Sequence, residues 1–109
     1  MNMVRVRLIN DDDGSVLPTA GRLEVMHDGV WGTVCDDSFG SQSAAVVCRM
    51  LGLRGGEAKA SAALGAGSGQ IWLDEVKCRG TESSIFDCAS TTWGKHDCGH
   101  GEDVGVICH

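Results

Sequence analysis

The chain has no tyrosine, and aromatic residues make up only 5% of it, so its core must be small and short of large rings. No apolar run approaches the ~20 residues that span a bilayer. The opening residues do not read as a cleavable signal pattern, since Met1-Asn2-Met3 runs straight into a strand-like stretch. If the chain is secreted, its export signal lies outside it, and residues 1–3 read as linker or added residues. Asparagine occurs only at Asn2 and Asn10, which leaves no Asn-x-Ser/Thr acceptor. No two cysteines are spaced C-x-x-C, which excludes zinc ribbons and thioredoxin-like redox sites. A Gly-x-Ser-x-Gly elbow, a P-loop and a His-Glu-x-x-His motif are also missing. The chain is therefore not read as an enzyme.

What is present fits one small domain. A length of 109 residues allows a single modest core, and 42% hydrophobic content is that of a globular chain. Six cysteines stand at 35, 48, 78, 88, 98 and 108. An even, scattered set in a short chain reads as a disulfide framework made in an oxidising compartment, although six cysteines allow fifteen pairings. The net charge of −6 disfavours nucleic acid and anionic membrane surfaces as general partners. An anion-binding role would need a local basic patch or bound cations.

Period-2 alternation predicts a strand with Val4, Val6 and Leu8 inward and Arg5 and Arg7 outward. Turn chemistry from Asp11-Asp12-Asp13-Gly14 through Pro18 and Gly21 predicts a loop. Leu23 and Val25 then alternate with Arg22 and Glu24, and Asp28-Gly29 predicts a hairpin returning through Val30–Cys35, with Trp31 in the core. Ala44, Val47, Cys48 and Leu51 mark one helical face, with Ser41 or Ser43 as cap and Gly52 just past the end. Further along, a weak strand is expected at Glu57–Ala60, a loop at Gly65–Gly69 and a buried strand at Ile71–Leu73. A short helix capped by Thr81 is expected over Glu82–Cys88, a loop over Thr91–Gly101 and a closing strand over Val104–Cys108. Met26, Met50, Trp72 and Trp93 read as packing residues, with Phe39 and Phe86 as anchors under loops. The fold class is small α+β.

Four runs carry a resemblance. They are Gly21-Arg22-Leu23-Glu24-Val25 with Trp31-Gly32-Thr33-Val34-Cys35-Asp36-Asp37; Ala45-Val46-Val47-Cys48-Arg49-Met50-Leu51-Gly52; Ile71-Trp72-Leu73-Asp74-Glu75-Val76 through Cys78, Gly80, Glu82 and Ser84; and Trp93-Gly94 through His96-Asp97-Cys98, His100, Glu102-Asp103-Val104-Gly105-Val106 and Cys108. In order and spacing they resemble a scavenger receptor cysteine-rich (SRCR) domain of the six-cysteine group A type, over residues 4–108. The resemblance implies an antiparallel sheet, curved around one main helix, with a short second helix. It also implies the pairs Cys35–Cys98, Cys48–Cys108 and Cys78–Cys88. Departures from the family pattern are the long Asp-bearing loop before Gly21, Leu53 for an aromatic, Ser43 for an Asp, and Asp97 for an Asn.

If Cys35 and Cys98 are bonded, Asp36 and Asp37 meet the acidic residues around Cys98, and oxygen-only donors favour Ca²⁺ or Mg²⁺ over zinc. The resemblance implies a calcium site at Asp36, Asp37 and Glu102, and a second at Asp37, Asp74 and Asp97. The competing reading is an acidic face solvated or paired with Arg and Lys. His96-x-Cys98-x-His100 is set aside as a zinc site because the implied disulfide uses Cys98. Arg5, Arg7, Arg22 and Glu24 are candidate ligand-binding residues, the arginines as a basic stripe; in the strand pattern Arg22 and Glu24 should face outward. The family implies an extracellular module binding polyanionic ligands, bacterial surface polymers or host proteins, with Ca²⁺ at one or two sites completing the contact. The alternative is a non-catalytic accessory or tethering domain of a larger secreted or membrane-bound protein, such as a protease or oxidase.

Overall fold

The computed structural model describes residues 5–109; Val4 and the 1–3 segment lie outside the described residues. Strand β1 (Val6–Ile9) turns through Asn10–Ser15 into the two-residue β2 (Val16–Leu17), and β3 (Ala20–His27) follows. Val6 and Leu8 pair with Val25 and Leu23, and all four are buried, so alternation on both strands faces one core. Asp28 and Gly29, both at positive φ (53° and 77°), make the tight turn into β4 (Val30–Val34). This turn sets Trp31 opposite Met26 and Thr33 opposite Glu24. Trp31 therefore lies on the Glu24 face and is only half-buried, not in the core as the sequence suggests.

Helix α1 (Ser41–Met50) buries Ala44, Val47 and Cys48 as its periodicity predicts, and Ser43 and Val46 as well. Ser43 does not cap it. Gly40 is the N-cap residue, while the Ser43 hydroxyl donates to the Val76 carbonyl and accepts from the Cys78 amide, both at 3.3 Å. At the other end Gly52, at φ 84°, sends its N–H to the Arg49 carbonyl, and the Leu53 N–H reaches Cys48. That is a Schellman cap, which needs a residue free to adopt the left-handed region.

The remaining strands are β5 (Gly56–Lys59), β6 (Ile71–Leu73) and β7 (Gly105–Cys108). They complete a seven-stranded sheet ordered β2-β1-β3-β4-β6, with β7 joining β3 at Ala20–Arg22 and β5 beyond it. One pair, β4 with β6, is parallel. The expected second helix is only a 3₁₀ turn at Ile85–Asp87, capped by the Ser84 hydroxyl, which accepts from the Phe86 amide. Thr81 caps nothing, because Glu82 instead accepts from the Arg79 and Gly80 amides and closes a turn there. A further 3₁₀ turn occupies His100–Glu102. The sulfurs pair as Cys35–Cys98, Cys48–Cys108 and Cys78–Cys88, the pairs the resemblance implies. The first two join residues 63 and 60 positions apart, and in the chain-entropy model each contributes about 4 kcal/mol.

Candidate acidic metal corner

The corner is built where β4 ends. The Cys35 amide donates to the Leu73 carbonyl at 2.9 Å, which sets Asp74, the residue just past β6, beside the Cys35 segment. The Asp36 amide donates to the Glu102 carbonyl at 2.8 Å, and Cys35 bridges to Asp103. The Cys35–Cys98 bond, with Cα atoms 6.3 Å apart, closes the group from the third side.

Donor atoms of Asp36, Asp37 and Glu102 lie with Cys35 within 4.8 Å of one another, and Asp37 and Asp74 form a second such group with Cys35 and Cys98. Asp37 is common to both. The exposed Asp97 falls outside these groups, with its Oδ1 3.8 Å from Cys98 Sγ. Backbone amides already satisfy one oxygen each of Asp36 (from Ser61, 2.7 Å), Asp74 (from Glu75, 2.7 Å) and Glu102 (from Gly99, 3.1 Å). The other oxygens are uncommitted. Among the described residues no Arg or Lys pairs with any of these five carboxylates, so the counter-ion reading finds no cation here. Asp37 carries the strain: desolvation, and then repulsion from Asp74, Glu102, Asp36 and Asp97, hold its carboxyl above the usual range.

The histidines do not form a zinc set. His96 Nδ1 accepts from the Cys98 amide, and Cys98 is oxidised. His100 Nδ1 lies 2.8 Å from Asp103 Oδ2 and its Nε2 3.0 Å from the Gly69 carbonyl. Desolvation lowers the His100 pKa, but the bonds to Asp103 and Gly69 and the Asp103 charge outweigh it and leave it raised. The fully buried Asp103 carboxylate also accepts from the Gly67 amide. Asp103 and His100 thus tie down the loop over residues 61–70, a role the sequence does not signal.

That loop corrects the outward reading of Arg22 and Glu24. Gly67 sits so close to Thr33 and Arg22 that a Cβ there would come within 2.8 Å of one and 3.1 Å of the other. Beneath it, the side chains of Arg22 and Glu24 are only 10% and 11% exposed. Glu24 accepts from Arg7 at 2.7 Å and from Arg22 at 3.2 Å, and Arg22 also reaches Asp11. Arg7 lies over the Trp31 ring and Arg5 over Phe86. Two of the three arginines of the expected stripe are therefore neutralised by carboxylates, and the faces of Arg5 and Arg7 are occupied by rings.

A small α+β domain stapled by three disulfides is built for an oxidising, extracellular setting. The family can be named. Residues 13–109 match the model of the scavenger receptor cysteine-rich domain, and the chain belongs to that family. It is 52% identical to human lysyl oxidase homolog 4 over 110 residues, which is all of this chain and 14% of that protein. It is 53% identical to the macrophage receptor MARCO of mouse over 88 residues, or 81% of this chain and 17% of that protein. The chain thus spans a small part of its curated relatives. The solved structure of the dimeric form of the mouse MARCO SRCR domain matches with a TM-score of 0.79 at 52% identity, covering 83% of this chain and 86% of that one. The third SRCR domain of murine neurotrypsin matches with a TM-score of 0.81 at 42% identity, covering 94% of each chain. Three disulfides and this membership place the domain outside the cell. Among the described residues no helix is long and apolar enough to cross a membrane.

Proposed function

We propose that this domain is a calcium-dependent ligand-binding module of a larger extracellular protein. The observation that carries the reading is the convergence of Asp36, Asp37, Asp74 and Glu102 on one disulfide without a basic side chain among them. Such a set is electrostatically unfavourable alone, and a hard divalent cation relieves it. The donors fit Ca²⁺: all are carboxylate oxygens, several are uncommitted, and the nearby sulfurs are oxidised and do not ligate. Asp36, Asp37 and Glu102 would hold one ion. Asp37 and Asp74 would hold a second, with Asp97 reaching it only by moving. Bound Ca²⁺ supplies positive charge and open coordination positions, to which anionic groups of a polyanion, a bacterial surface polymer or a host protein attach. Of the arginine stripe, exposed Arg5 and partly exposed Arg7 are the basic side chains at the surface to assist. Retention on dextran sulfate tests this. It should require Ca²⁺ and fail in Asp36→Ala; retention indifferent to EDTA would end the calcium-bridge mechanism.

A second reading rests on the identity with human lysyl oxidase homolog 4, of which this chain matches 14%. In that reading the domain is a non-catalytic accessory of a larger oxidase, and the calcium corner serves to rigidify it.

A further inference from the structure

A second concave site shares no residue with the acidic corner. The Asn10–Ser15 turn between β1 and β2 forms one wall, and residues 63–65 of the covering loop form the other. The cleft between them has a volume of about 320 Å³, at the lower end for ligand sites. Its lining is divided by chemistry. Buried Ile9 and half-buried Leu17 and Leu64 give it an aliphatic interior, while exposed Asp11 and Asp12 bring carboxylates to it.

The two carboxylates differ in what they already hold. Asp11 shares Arg22 with Glu24, which Arg7 also contacts. Asp12 has no hydrogen-bond or ion-pair partner for its side chain among the described residues; only its amide is engaged, donating to Asn10 Oδ1 at 2.9 Å. Asp13 is turned to its own loop, accepting from the Ser15 amide at 2.9 Å. The three aspartates and Glu24 outnumber Arg7 and Arg22, so the neighbourhood is net negative. An anion is excluded, and a neutral apolar ligand would leave Asp12 unanswered. The complement of an aliphatic interior with carboxylates at its edge is an aliphatic stem ending in a cation.

We propose that this cleft binds a lysine or arginine side chain presented by a basic segment of a partner protein. The methylene stem lies against Ile9, Leu17 and Leu64, and the charged end meets Asp12 and Asp11, whose side chain is 54% exposed beside Arg22. The site shares no residue with the calcium corner, although the Ser61 amide on Asp36 ties its loop wall to that corner, and the partner it selects is of opposite charge to the anions expected there.

The experiment is an amide NMR titration of the ¹⁵N-labelled 109-residue chain, in Ca²⁺ and again in EDTA. The probe is an acetylated, amidated Ala-Lys-Ala tripeptide, with the norleucine tripeptide as its uncharged equivalent. The expected result is saturable shifts at Asp11, Asp12, Leu64 and Gly65 in both buffers. Binding should be about threefold to fivefold weaker for norleucine and for Asp12→Asn, and lost when Ala63→Trp fills the cleft. Asp12 is exposed and its side chain unpartnered, so its variant keeps the fold. Shifts confined to Asp36, Asp37, Asp74 and Glu102, equal binding of norleucine, an unaffected Asp12→Asn, or no shift at all would each overturn the proposal. Shifts of Asp11–Asp13 with Ca²⁺ alone would make the turn a metal loop and overturn it too. Failure at this cleft leaves dextran sulfate retention untouched, so the two readings fail separately.

Discussion

Replacing Cys35 and Cys98 together by alanine should cost both stability and calcium binding. The bridge joins residues 63 apart, and reopening that loop favours the unfolded chain by about 4 kcal/mol in the chain-entropy model. Because small domains are stable by only about 5–15 kcal/mol in total, the variant should sit near the edge of folding. The Cys78–Cys88 pair provides the control. It spans 10 residues, so its removal should cost about 3 kcal/mol, and it lies outside the proposed calcium ligands. The assay is urea unfolding of wild type and both variants, each with Ca²⁺ and with EDTA. Ca²⁺ should raise the midpoint of the wild type and of the Cys78/Cys88 variant, and leave the Cys35/Cys98 variant unmoved. A full calcium response in the Cys35/Cys98 variant would refute the claim that this bond assembles the site.

Asp37→Asn should stabilise the domain in EDTA at neutral pH while weakening calcium binding. A carboxyl raised in the fold contributes stability in its protonated form, present below the unfolded value of 3.8 and lost as pH rises through the folded one. Removing the charge removes that loss, and a lower melting temperature for Asp37→Asn in EDTA at pH 7 would contradict the assigned repulsion. Arg22→Ala should destabilise by about 1–3 kcal/mol, because it strips one partner from nearly buried Glu24, yet leave calcium affinity unchanged. Unchanged stability with lost dextran sulfate retention would instead make Arg22 a ligand contact. Gly56→Ala should cost about 1–3 kcal/mol, since a Cβ there runs into the Ile107 carbonyl and Cys48 Sγ, and urea unfolding measures it.

The sheet was legible where periodicity and turn chemistry agree. Val6, Leu8, Leu23 and Val25 alternate into the core, and Asp28-Gly29 marks the hairpin that joins β3 to β4. The orientation of Trp31 follows from that same two-residue turn, but only once the register is counted back from it: His27 meets Val30, so Trp31 meets Met26 on the outer face. Burial of Arg22 and Glu24 had no such signal. They lie under residues 61–69, a stretch of mostly Gly, Ala and Ser whose composition shows no period and whose position depends on Asp36, His100 and Asp103 from elsewhere in the chain. The helix expected at Glu82–Cys88 is shortened to the 3₁₀ turn Ile85–Asp87 with Ser84 as its cap, while the Glu82 side chain closes the preceding turn on the Arg79 and Gly80 amides. In the corner, adjacency to the cysteines brought Asp36 and Asp37 toward Asp97, Glu102 and Asp103 only once the family resemblance supplied the Cys35–Cys98 pairing, and it was the resemblance that selected Asp36, Asp37 and Glu102. Asp97 follows the same reasoning, being next to Cys98, yet its side chain stays outside both carboxylate groups.

Calorimetric titration of Ca²⁺ into EDTA-stripped domain tests the acidic corner most directly. Saturable heat at one or two ions per chain, abolished by Asp36→Ala and by Glu102→Gln, is the predicted result. No heat above dilution, or binding that survives both substitutions, would mean that the carboxylates gathered by Cys35 and Cys98 are not a calcium site.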